Sequence, residues 1–213
     1  MKNALFLLII TLSVISCTPS SEDAPDSEEP ITTKPTTTTI KPTKVELLKA
    51  TKYPSKYDAK IKKAAKRYLP GVDWRLLKAQ YYQESRLNPL ATSPVGAAGI
   101  AQFMPATWKQ MQREMKITAT SRDPDYAILA GAYYMAKLRK SWSSPRPWKD
   151  RLKLAQASYN AGLGNILKSQ KKAGGASRFQ PIIDQLHLVT GHNSKETRTY
   201  ITRIWNYYPM MHL

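Results

Sequence analysis

The sequence predicts an all-α domain, a bundle of helices around a single cleft, and three observations carry that prediction. Apolar residues recur at spacings of three and four through most of the chain beyond residue 55. These periodic segments are bounded by helix punctuation, with Asp before a first turn, Pro inside it and Pro-Gly after the last. No sustained alternation of apolar and polar residues marks a strand, so stacked helices are the economical architecture.

The amino-terminal part stands apart from that domain. Asn3 to Ser16 is an apolar run of fourteen residues behind Lys2, too short for a bilayer span of roughly twenty residues. Residues 1–16 therefore read as a signal peptide. The run ends Val14-Ile15-Ser16-Cys17, which resembles a lipobox, the sequence after which bacterial lipoproteins are cut and acylated on the cysteine. Cys17 is the only cysteine of the chain, so it makes no internal disulfide; the competing reading is an ordinary secretion signal with an incidental Cys. Residues 18–44 are Pro, Thr, Ser and acidic residues with almost nothing to bury, and with Cys17 they form a lipidated, extended linker over 17–44. In polyproline-like geometry that stretch reaches on the order of 80 Å.

The globular domain is expected over 45–213. Tyr57, Ile61, Ala64, Ala65 and Tyr68 place a helix over Ser55–Leu69, stopped by Pro70-Gly71. Asp73 caps the next, whose stripe runs Trp74, Leu77, Tyr81. Pro105–Met115 and a helix opened by Asp123-Pro124 and running to about Arg139 follow. In the latter, Ile128, Leu129, Ala132, Tyr133, Met135, Ala136 and Leu138 cover most of the circumference, which predicts a buried central helix. Trp148–Tyr159, Leu163–Ala173, Phe179–Leu188 and Lys195–Tyr208 complete the set.

The next position on the stripe of Trp74, Leu77 and Tyr81 is Glu84, an ionisable group where a core residue belongs. A buried carboxylate is either paired with a cation and structural, or unpaired, with a pKa raised far enough to hold a proton near neutrality and donate it to a leaving group. Asn88-Pro89 and Ser93-Pro94 end the helix soon after Glu84. A loop with Gly96 and Gly99 then allows close approach of a ligand to the backbone.

Four segments in order carry a resemblance. Glu84-Ser85, the stretch SPVGAAGIAQFMPATW from Ser93 to Trp108, Ser158-Tyr159-Asn160-Ala161-Gly162, and Glu196-Thr197-Arg198-Thr199-Tyr200 resemble the motifs of the soluble-lytic-transglycosylase (SLT) family over about residues 55–208. The resemblance implies a lysozyme-like fold with a glycan-binding cleft and a lytic transglycosylase that cleaves the MurNAc–GlcNAc β-1,4 bond of peptidoglycan. Glu84 is then acid and later base, the sugar's own 6-hydroxyl closes onto the anomeric carbon, and 1,6-anhydro-MurNAc ends form. It further implies that Ser93, Gln102 and Met104 contact the glycan, that Tyr159 hydrogen-bonds near Glu84 and orients it, that Asn160 shapes the neighbouring turn, and that Glu196 and Tyr200 stand on the far wall. Ser85 belongs to the same set, with a local hydrogen bond to the backbone as its plain alternative; Asn160-Ala161-Gly162 has a helix stop as its own. Many relatives read Gly-Leu-Met-Gln where this chain has Gly99-Ile100-Ala101-Gln102, and the small Ala101 is expected to widen the groove floor.

Glu84 is the only acidic residue from Trp74 to Thr107, which fits a one-carboxylate reaction better than hydrolysis, for which two are usual. A lysozyme-type muramidase and a non-catalytic wall-binding lipoprotein are the alternatives. The chain carries +18 overall; residues 45–213 hold 29 Lys and Arg against 10 Asp and Glu, while 18–44 are net acidic. Such a domain suits an anionic partner. With an export signal and no nucleic-acid motif, the expected partners are peptidoglycan strands and a membrane reached through Cys17, with no nucleic acid. A monomeric, exported, membrane-anchored lipoprotein facing the periplasm or cell wall follows. No cofactor is expected, and His187, His192 and His212 lack metal-ligand spacing.

Overall fold

The computed structural model describes residues 53–212, so the expected signal peptide, Cys17, the whole linker over 17–44 and the first eight residues of the expected domain lie outside the described residues. Nine α-helices follow in order among the described residues: α1 Asp58–Tyr68, α2 Trp74–Ser85, α3 Pro105–Met115, α4 Pro124–Ser141, α5 Trp148–Ala161, α6 Leu163–Lys172, α7 Phe179–Asp184, α8 His187–Thr190 and α9 Ser194–Tyr207. Two 3-10 turns, Gly191–Asn193 and Tyr208–His212, flank the last. No strand forms among the described residues; the loop between α2 and α3 makes only isolated bridges, Thr92 with Ala98 and Ala98 with Phe103. The domain is all-α.

Local chemistry explains the boundaries. The Asp73 carboxylate accepts from the Arg75 amide and caps α2. Asp123 does the same for Asp125 at the head of α4, with Pro124 at its first position. The continuous helix expected over Phe179–Leu188 is broken: α7 stops at Asp184 and α8 begins at His187. Leu186, in the break, is fully buried, so the chain turns there to deliver it to the core.

Helix α4 is less enclosed than its pattern predicts. Ala127, Ile128, Ala130, Gly131, Ala132, Met135 and Leu138 are buried, but Leu129, Tyr133 and Ala136 only partly so. Its buried face packs on α1, α2 and α5. The approach to α2 is closest at Gly131, where an added Cβ would lie 2.8 Å from Cε1 of Tyr81 and overlap its hydroxyl. Tyr81, fully buried, donates from its hydroxyl to the Ile128 carbonyl at 2.7 Å. Buried Lys78, pairing with Asp58 at 2.8 Å, ties α2 to α1 as well. Helix α2 is thereby fixed along its length before it reaches Glu84.

Candidate active site

Glu84 occupies the last turn of α2, and the backbone beyond it is held in an uncommon shape. Arg86 and Leu87 both adopt left-handed conformation, at φ 57° and 62°, which stops the helix at a cost of order 1 kcal/mol per residue. Burial of the Leu87 side chain, 4% exposed, opposes that cost. The following loop is closed by its own hydrogen bonds. The Ser93 hydroxyl accepts from the Ala97 amide at 3.0 Å. The Gln102 amide group donates to the Ala91 and Gly99 carbonyls at 3.1 and 2.9 Å. Gly99 sits at φ +82° with the Ser121 carbonyl where a Cβ would be, so only glycine fits.

Two further helices complete the site. The Tyr159 hydroxyl of α5 donates to the Ala101 carbonyl at 2.7 Å and pins the loop from behind. Asn160 receives the Thr197 hydroxyl at 2.7 Å and offers its amide to Glu196 at 3.5 Å, joining α5 to α9. From α9, the Tyr200 hydroxyl donates to Glu84 Oε1 at 2.6 Å. Glu84, Ser93, Gln102, Met104, Tyr159, Asn160, Glu196 and Tyr200 line one cleft of about 310 Å3, together with Gln83, Val95 and Ala97.

Some residues take other positions than expected. The hydroxyl that orients Glu84 belongs to Tyr200, not Tyr159, because the latter is spent on the Ala101 carbonyl. Ser85 does not line the cleft; its hydroxyl donates to the Ile100 carbonyl at 2.9 Å and clips the end of α2 to the loop. Ala101 does not widen the groove floor, since its methyl is fully buried in the core. Glu196, distant in sequence, brings a second carboxylate to the cleft. Gln83 was hidden from sequence reasoning by its place on the flank of the apolar stripe; its adjacency to Glu84 was the available signal. Its Oε1 is buried and has no hydrogen-bond partner among the described residues.

The electrostatics favour a protonated acid. Burial pushes Glu84 up from 4.5 to about 8; the Tyr200 hydrogen bond pulls the other way, and the charge of Glu196 adds to the rise. Among the described residues no Lys or Arg pairs with it. Burial, reinforced by Glu84's own charge, raises Tyr200 and Tyr159 well above the ordinary tyrosine value, so both stay protonated. Tyr200 holds Oε1, which leaves Oε2 as the oxygen available to carry a transferable proton. No group of three or more His, Cys, Asp or Glu that could hold a metal ion exists among the described residues.

Fold and site together define a helical, lysozyme-like domain built around one protonated acid. A family model described as the Transglycosylase SLT domain matches residues 60–181, and the chain belongs to that family. A curated relative, membrane-bound lytic murein transglycosylase F of Histophilus somni, is 33% identical over 164 residues, which is 67% of this chain and 33% of the relative. The enzyme of the same name from Pseudoalteromonas translucida is 42% identical over 100 residues, 46% of this chain and 20% of the relative. The chain thus matches about a third or less of the length of these relatives. Among solved structures, an inactive mutant of the lytic transglycosylase Slt from Pseudomonas aeruginosa superposes with TM-score 0.59 at 27% identity, over 76% of this chain and 25% of that one. The 70 kDa soluble lytic transglycosylase of Escherichia coli gives TM-score 0.59 at 24% identity, with the same coverage, and shares the fold.

Proposed function

We propose that this chain is a peptidoglycan lytic transglycosylase that cleaves the MurNAc–GlcNAc β-1,4 bond. The observation that carries the reading is Glu84, a cation-free carboxyl held at about 8 by burial and aimed into a cleft. Below that pH it carries the proton that the glycosidic oxygen needs as the C–O bond breaks. The resulting carboxylate then takes the proton of the MurNAc 6-hydroxyl as that oxygen closes onto the anomeric carbon. Glu84 ends reprotonated, no water is consumed, and the product is a 1,6-anhydro-MurNAc end. Because the nucleophile belongs to the substrate, its effective concentration is high without a second protein base.

Tyr200 holds the carboxyl in position, and Ser93, Gln102, Met104, Tyr159, Asn160 and Glu196 bind the glycan; their common lining of the cleft supports these roles. Ser85 acts through the backbone, by fixing the loop. The Val14-Ile15-Ser16-Cys17 sequence supports export and acylation at Cys17, and relatives named membrane-bound support a position at the membrane, facing the periplasm or wall. We take the protein to act as a monomer on glycan strands.

One observation favours a second reading. Glu196 supplies the cleft with the additional carboxylate that a hydrolysing muramidase employs. Mass spectrometry of fragments released from purified peptidoglycan separates the two. Products lacking one water, without reducing muramic ends, are expected; reducing ends would establish hydrolysis. Release that persists in Glu84→Gln would overturn both.

A further inference from the structure

The first helix among the described residues carries a charge pattern that the cleft does not use. Within α1, Lys60, Lys62, Lys63, Lys66 and Arg67 are all exposed, while Ile61, Ala64 and Ala65 turn inward. Its one acid, Asp58, is neutralised by buried Lys78. Asp125, on the facing end of α4, is neutralised by Lys60. Lys62, Lys63, Lys66 and Arg67 have no carboxylate partner among the described residues. Lys63 and Arg67, one turn apart, border a hollow of about 330 Å3 between α1 and α4 that the Lys60–Asp125 pair, Ile128 and Leu129 also line. The hollow shares no residue with the cleft.

We propose that this face of α1 docks on an anionic phospholipid surface, with a headgroup phosphate seated in the hollow between Lys63 and Arg67. Charge complementarity chooses the occupant: among the described residues α1 is the helix richest in cations without a carboxylate partner, and an anionic bilayer is the polyanionic surface that the membrane location proposed above brings within reach. An attached lipid keeps the local concentration of bilayer high, so even weak contacts are populated. The basic face then fixes which side of the domain faces the lipid. The inference rests on the membrane location proposed above, but not on acylation itself.

The test uses the chain from residue 17 onward with Cys17→Ser, which removes the acylated residue, and measures sedimentation with vesicles. Binding is expected to phosphatidylcholine vesicles containing phosphatidylglycerol, falling with salt, and not to phosphatidylcholine alone. Each basic residue at such a surface is worth roughly fivefold in partitioning. The triple substitution Lys63→Gln, Lys66→Gln, Arg67→Gln is therefore expected to weaken binding about a hundredfold, with the thermal midpoint unchanged. A control of equal charge, Lys168→Gln, Lys171→Gln, Lys172→Gln, removes an exposed cluster on α6 and is expected to keep most of the binding. Equal loss in both variants would reduce the effect to net charge and overturn the proposal. So would equal binding to neutral vesicles, no binding to anionic ones, or α1-dependent binding to isolated wall material alone. Whether Cys17 is acylated is read separately, from the mass of protein extracted from membranes, so that failure there is distinguishable from failure here.

Discussion

Glu84 and Glu114 are the same side chain in opposite surroundings. Glu114, on α3, is gripped by Lys137 at 2.6 and 2.7 Å and by Gln110 at 2.8 Å, and the Lys137 contact chiefly holds its carboxyl below the ordinary value. Glu84, in a domain with 29 basic residues, pairs with no Lys or Arg among the described residues; its surroundings are buried Tyr81 and Tyr200, half-buried Tyr159 and another carboxylate. The contrast teaches that a strongly basic protein can still keep an acid protonated at neutral pH, provided its cations stay off one small patch.

The largest predicted effect separates activity from stability at Glu84. Glu84→Gln is expected to reduce glycan cleavage by at least about a thousandfold, the scale of a lost general acid, while making the protein more stable at neutral pH. The sign follows from the shift. A carboxyl at about 8 when folded and 4.5 when free contributes stability that is complete below pH 4.5 and lost as pH rises to about 8. At pH 7 relief of that burden is worth roughly 2–3 kcal/mol, readable as a denaturation midpoint that moves up. A variant that is both inactive and less stable would mean that Glu84 is paired.

The same shift sets the pH profile. Cleavage by the wild-type domain is expected to fall tenfold per unit above about pH 8 as Glu84 loses its proton; a limb near the ordinary carboxylate value would remove the distinction from Glu114. Tyr200→Phe comes next. Its hydroxyl lowers Glu84, so its loss moves the alkaline limb upward, and the freed carboxyl slows turnover about tenfold. An unmoved limb would show that the 2.6 Å contact does not bear on the acid. Gln83→Leu removes an acceptor that has no internal partner; a KM raised about tenfold with kcat unchanged is the expected result, on the scale of one hydrogen bond. Smallest is Glu114→Gln, at under about 1 kcal/mol for an exposed ion pair and with cleavage unaltered.

Periodicity and helix punctuation made the helices legible: α2, α3 and α9 stand within a residue or two of their expected bounds, although α2 buries a run of consecutive residues from Leu76 to Tyr81 and not one stripe. Periodicity also located Glu84, since a charged residue on an apolar stripe is visible without any fold. What it could not convey is which distant hydroxyl arrives. Tyr159, half-buried, and Tyr200, buried, both lie near the carboxyl, and only the packing of α5 against the loop, through Ala101, decides that the latter makes the contact. Ala101 itself was misread for a related reason: its neighbours Gly99 and Gln102 have positive φ, and the resulting turn sends its methyl inward. Left-handed geometry at Arg86 and Leu87 had no sequence signal either, as neither is a residue type that favours it.

Gly131 carries a consequence for the mutational tolerance of the domain. It lies inside an 18-residue helix, where a rule based on helix propensity would choose Ala, at a gain of about 1 kcal/mol. The ring of Tyr81 already fills that space, and Tyr81 sits one turn before Glu84 on the same helix. In a saturation scan of single substitutions, Gly131 would therefore appear as intolerant as the acid itself although it touches no substrate. A library ranked by propensity alone would select against activity from a position outside the cleft.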